Sequence, residues 1–220
     1  MPFIYNNPVS LISRNLDAIT APPVNRYTHP WGTDVAGVTV SGNQSRHIPL
    51  AQIQFIPVKF ASAITLDRIG LLYTGTNGCV DTWTYGLGLY SNNSADNYPN
   101  ALITDFGPIV INPGVTSTGS IELTISQVLN ANTTYWLAVG ITTSGSTDTG
   151  LGKTPWLVQL QGDSSLFRKR GIGSGASGTM GYAWAHSLGS YAGTLPATVT
   201  YASNSSTIPT GLRISVRRSA

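Results

Sequence analysis

Glutamate occurs once, at Glu122, lysine three times, and charged side chains make up only 10% of the 220 residues. Soluble domains ordinarily carry roughly 25%. The residues that sustain exposed helices are therefore nearly missing, which excludes a helical bundle, a coiled coil and most doubly wound α/β enzymes. A single cysteine, Cys79, cannot form an internal disulfide, so packing alone must hold the fold. No stretch approaches the ~18 to 20 apolar residues of a membrane span. The opening MPFIYNNPVSLISRN has no basic start followed by an apolar run, so no secretory leader is read and synthesis in a cytosol is expected.

Serine, threonine and glycine together supply a third of the chain. Hydrophobic residues reach 41%, with 5 Trp, 10 Tyr and 5 Phe, enough for a core and against disorder. The composition describes an all-β protein whose surface is hydroxyls rather than charges. The net charge of +3 is local, in Arg168, Lys169 and Arg170 and in Arg213, Arg217 and Arg218 near the end. No basic stripe interleaved with aromatics is present, so nucleic-acid binding is not expected. These groups read instead as a solvated loop and a basic tail that touch an acidic partner.

Residues 1–47 carry five prolines (Pro2, Pro8, Pro22, Pro23, Pro30) and short apolar stretches. Proline fixes φ and removes a ladder donor, which predicts an extended arm. Phe3, Tyr5, Tyr27 and Trp31 make the arm too apolar for a free linker and mark it as a partner contact. From 48 to 220 the spacing predicts one domain. Period-2 patterns recur between turn signals: Ile53 and Phe55 against Gln52 and Gln54, and Ile69, Leu71 and Tyr73 before an Asn77-Gly78 turn. Trp83, Tyr85, Leu87 and Leu89 share a face, as do Ile121, Leu123 and Ile125; then Tyr135, Leu137, Val139 and Ile141; then Leu212, Ile214 and Val216. Residues 101–111 read as a strand pair, residues 126–132 as one short turn, and Val199 with Tyr201 as part of a late strand. Long connections are expected at 142–155 and 162–178. The fold expected is an antiparallel β-sandwich, jelly-roll-like, with an extended N-terminal arm.

Chemical motifs are weak. Gly173 to Gly178 satisfies the G-x-G-x-x-G spacing but lacks a following helix and an acidic residue downstream. Gly152-Lys153-Thr154 ends like a P-loop, yet Thr147 stands where the first glycine is required and Pro155 stops the helix. His29, His47 and His186 lack metal-ligand spacing. No G-x-S-x-G elbow occurs, and the carboxylates sit mostly in turns. Asn43, Asn92, Asn132 and Asn204 open N-x-S/T triplets that read as composition. No cofactor, metal or catalytic residue is assigned. Tyr182, Trp184 and Tyr191 are the candidate glycan platform, since a sugar's C–H face stacks on such rings. Core or subunit contact is the competing reading for the same rings.

The run Gly86-Leu87-Gly88-Leu89-Tyr90-Ser91, then Tyr98-Pro99-Asn100-Ala101-Leu102-Ile103 and Asp105-Phe106-Gly107, resembles a pattern of β-sandwich modules in tailed-phage structural proteins. Gly119 to Ile125 and Asn130 to Val139 resemble its closing part. The resemblance covers about 75 residues. It implies a virion protein with other virion proteins, the major capsid protein first, as partners, and a homo-oligomer, with a trimer favoured by analogy. The leading expectation is a non-enzymatic capsid decoration or cement protein anchored by its arm. A receptor-binding or fibre module on host glycans is the alternative, and an enzyme on cell-surface polysaccharide the third reading.

Overall fold

The computed structural model describes residues 21, 27–28, 45–46, 52–74, 82–94, 98–112, 119–143, 156–160, 183–187, 193–199, 207–208, 211–212 and 214–220. Within them the chain forms β1 (Tyr27–Thr28), β2 (Ser45–Arg46), β3 (Gln52–Val58), β4 (Ile64–Thr74), β5 (Trp83–Asn93), β6 (Tyr98–Ile111) and β7 (Gly119–Leu129). It continues with β8 (Tyr135–Thr143), β9 (Trp156–Leu160), β10 (Ala183–Ser187), β11 (Thr207–Ile208), β12 (Gly211–Leu212) and β13 (Ile214–Arg218). No helix occurs among the described residues.

The strands make two antiparallel sheets packed together as a β-sandwich. One sheet has the order β11-β10-β3-β8-β5-β6; the other runs β1-β13-β4-β9-β12, with β7 beside β4 and β2 beside β9. Both β1 and β2 lie within residues 1–47. The described part of that stretch therefore pairs into the seven-stranded sheet, and Ala21 packs against the main core.

Period-2 alternation builds that core. Trp83, Tyr85, Leu87 and Leu89 of β5 and Tyr135, Leu137, Val139 and Ile141 of β8 face Ile69 and Leu71 of β4 and Ile214 and Val216 of β13. Each fully buried side chain of this size stabilises by about 1.5–3 kcal/mol before entropy is counted. In β4 the alternation slips once. Ile64 and Leu66 point inward, then Ile69 and Leu71, so Asp67 and Arg68 both fall outside the core, where the ladders to β7 and β13 shift register.

The six-stranded sheet is covered on both faces. Its outer face carries a second buried cluster: Ile53, Phe55, Tyr90, Trp136 and Ala138 beneath Leu195 and Val199. This alters the reading of β3. Ile53 and Phe55 belong to the outer cluster, Ile56 and Val58 to the inter-sheet core, and Gln54, expected in solvent, is 2% exposed on the inner side. Its Oε1 has no hydrogen-bond partner. Trp136 is likewise covered by the 193–199 segment and not by the opposite sheet. Pro57 fits because β10 ends opposite Phe55, leaving β3 without a described neighbour on that side.

Three further expectations change. Residues 101–111 are not a strand pair but part of one 14-residue strand. Gly107, at φ 90°, donates its N–H to the Asp105 carboxylate (2.9 Å), which bulges the strand without reversing it. Residues 126–132 do not begin with a turn: β7 runs to Leu129, and the reversal sits at Asn132, at φ 54°, whose N–H donates to the Phe60 carbonyl (2.7 Å). Val199 forms no strand; its neighbour Thr198 makes an isolated bridge to Ala101.

Candidate functional site

The outer cluster is closed by the segment Gly193–Val199, laid across the sheet as a strap. The Tyr90 hydroxyl donates to the Pro196 carbonyl (2.7 Å), Leu102 N–H to the Ala197 carbonyl (2.8 Å) and Val199 N–H to the Asn100 carbonyl (2.8 Å). Tyr90 also meets Phe55 edge to face, with ring centroids 5.2 Å apart. Trp136 Nε1–H donates to Asn92 Oδ1 (2.8 Å), so the buried indole is satisfied. Trp184 enters the sheet in β10 directly opposite Phe55, in the row continued by Ala138. Paired positions of an antiparallel ladder share a face, so its register position is on the strap side. Tyr182 and Tyr191, the other two rings of the candidate glycan platform, lie outside the described residues.

On the other sheet, one row crosses four strands: Tyr27, Arg217, Arg68 and Thr124. Arg217 grips Asp67 with two bonds, Nε to Oδ1 (2.9 Å) and Nη2 to Oδ2 (2.7 Å). Arg68 Nη1 donates to the Asp67 carbonyl (2.8 Å). The slip in β4 turns Asp67 toward Arg217. Hydrogen bonding from the Arg217 guanidinium, with its charge and that of Arg68, holds the Asp67 carboxyl below its ordinary value of 3.8 against the opposing effect of burial. One row on, Gly70 stands between Ser215 and Glu122, and the Glu122 side chain packs over the space a Cβ there would take. The surface that results is hydroxyls, two arginines and two carboxylates. Beside it, an open depression of about 220 Å³ lies between Ala63, Thr65, Val128 and Arg218.

Arg217 and Arg218 are therefore not part of a simple basic tail but lie in β13; Arg213 lies outside the described residues. Arg217 belongs to a strand held between β1 and β4 and is already matched by Asp67. Sequence reading missed this pair because Asp67 and Arg217 are 150 positions apart. The signal available was only the interrupted alternation at Asp67-Arg68.

Of the proposed partner-contact residues, Tyr27 lies in β1 at the border of the seven-stranded sheet. Phe3, Tyr5, Trp31, Arg168, Lys169 and Arg170 lie outside the described residues. Among the described residues, no three His, Cys, Asp or Glu side chains are grouped so as to hold a metal ion. No helix among them is long and apolar enough to cross a membrane. Set against known proteins, the chain matches no protein-family model and no curated protein sequence.

Proposed function

We propose that this protein is a non-enzymatic structural protein of a tailed-phage particle, acting as a capsid decoration or cement protein held by its N-terminal arm. One observation carries the reading. The segments that resemble phage structural modules fall on four consecutive strands, β5 to β8, and several of their residues have folding roles. Gly88 gives room to Leu195, Tyr90 ties down Pro196, Gly107 takes a left-handed φ, and Trp136 fills the outer cluster. Residues chosen for packing rather than for proton transfer suit a module whose work is to fold, repeat and contact neighbours. Weakly charged, hydroxyl-rich faces also suit many identical copies lying close without mutual repulsion. The major capsid protein is the partner this reading requires, and a homo-oligomer, a trimer by analogy, is its expected form.

The test is deletion of residues 1–20. That truncation stops short of Ala21, which packs on the core, and of β1 and β2, which pair into the sheet. The truncated protein is expected to keep its far-UV spectrum and cooperative melting while losing attachment to undecorated capsids. Full decoration by the truncated protein would contradict anchoring by the arm.

A further inference from the structure

The strap is held in the way a domain holds a bound peptide. Along the edge of β6 that faces away from β5 it lies as an added strand. Leu102 N–H donates to the Ala197 carbonyl and Val199 N–H to the Asn100 carbonyl (2.8 Å each), and Thr198 is bridged antiparallel to Ala101 between them. Main-chain pairing at a sheet edge, with side-chain anchors beside it, is a recurring mode of recognising extended segments. The anchors here are Leu195 and Val199, four residues apart and each 6% exposed, whereas Thr194, Ala197 and Thr198 are exposed. Pro196 fixes φ for the extended run, and its carbonyl accepts the Tyr90 hydroxyl (2.7 Å).

The receiving surface is built without help from the strap. Phe55, Tyr90, Trp136 and Ala138 stand on β3, β5 and β8. The opposite faces of those strands place Ile56, Leu87 and Leu137 in the inter-sheet core, so the floor is fixed from below. Phe55 meets the Tyr90 ring edge to face, and Asn92 holds the Trp136 indole, so neither ring depends on Leu195 for its position. Gly88 leaves the hole that Leu195 enters, walled by the Thr104 carbonyl and Leu102. An apolar floor, one shaped hole, a hydroxyl and two main-chain groups are the parts of a binding site.

We propose that this outer face is a peptide-recognition groove and that the strap is its resident ligand. The ligand class is an extended segment with a leucine, a proline directly after it, and a β-branched residue four places on from the leucine. The strap is seated because its own residues are recognised, not because the chain on either side forces it there. Being tethered, it meets the groove without the cost of association, so the intact protein is closed to competing segments. The groove does not depend on the capsid-decoration reading.

The probe is a synthetic peptide of residues 193–199, capped at both ends, added to the full-length protein while its melting is followed. In Leu195→Ala the resident strap lacks its main anchor. The free peptide is expected to raise that variant's melting temperature by about 3–5 °C for each tenfold excess over its Kd. The wild type should show no shift, its groove being filled. A control peptide with alanine in place of Leu195 should bind the variant about tenfold or more weakly. Adding Gly88→Ala to Leu195→Ala narrows the hole and should abolish the response. Should Leu195→Ala fail to fold, Val199→Ala replaces it, with alanine in place of Val199 in the control peptide. No shift in the variant would overturn the proposal. So would an equal shift with the control peptide, an equal shift in the wild type, or a response that survives Gly88→Ala.

Discussion

Leu195 occupies the space into which a side chain at Gly88 would project: a Cβ there would run into Leu195 Cδ1. The Thr104 carbonyl and Leu102 Cδ1 stand on its other sides at 3.2 and 3.3 Å, so little room remains for adjustment. The strap and β5 are thus fitted through an absence, and the fit can be tested as a pair. Gly88→Ala is expected to destabilise by about 1–3 kcal/mol through overpacking, and Leu195→Ala by about 2–5 kcal/mol through the void it leaves. Because the added methyl fills part of that void, the double variant should lose less than the sum. Chemical denaturation of all four proteins measures it. Strict additivity would mean that Leu195 does not rest on Gly88.

The salt link between Asp67 and Arg217 predicts a definite dependence on pH. Its folded-state carboxyl lies below the ordinary 3.8, so its stabilisation is present above that value and is lost as the pH falls through the folded-state pKa. Both side chains keep about a quarter of their surface exposed, at 25% and 23%, which limits the contribution to about 0.5–1 kcal/mol. Asp67→Asn should melt below the wild type at neutral pH, and the gap should close in acid. A gap that stayed constant would remove the ion pair from the account of stability.

Trp184 offers a choice between core and glycan platform. Its backbone position in β10 pairs with Phe55. Trp184→Ala separates the two readings: a loss of about 3–5 kcal/mol, as for a buried ring, assigns the side chain to the core. An unchanged melting temperature together with loss of binding to host glycans would give the platform back its ring and strengthen the receptor-binding alternative.

Much of the sandwich was legible because antiparallel strands with one covered face print their burial directly as alternation. Ile121 to Ile125 read correctly for that reason. Trp83 to Leu89 and Tyr135 to Ile141 read correctly although their outer faces are covered too, because small or polar residues such as Thr84, Gly86, Gly88, Ala138 and Gly140 alternate with the large apolar ones there. The reading weakened where a covered outer face carries large apolar residues. In β3, Gln54 is buried while Ile53 and Phe55 face outward beneath the strap, so polarity no longer reports the side. The strap itself was invisible, because Leu195 and Val199 belong to no periodic run. At Gly107, turn-forming residues made a bulge inside β6, since glycine at positive φ serves either purpose and only the partner strand decides. The Asp67–Arg217 pair was out of reach for a different reason. It joins opposite ends of the chain, and pairing across such a distance leaves no local signal.

The central claim, that the protein is a structural component of a phage capsid surface, is tested most directly by high-resolution imaging of intact particles from the phage that encodes it. The account predicts repeated density on the outside of the capsid into which the two-sheet sandwich fits, with the N-terminal arm running onto the major capsid protein. Density for the same sandwich only at the tail or fibre tips, or in no part of the particle, would contradict it.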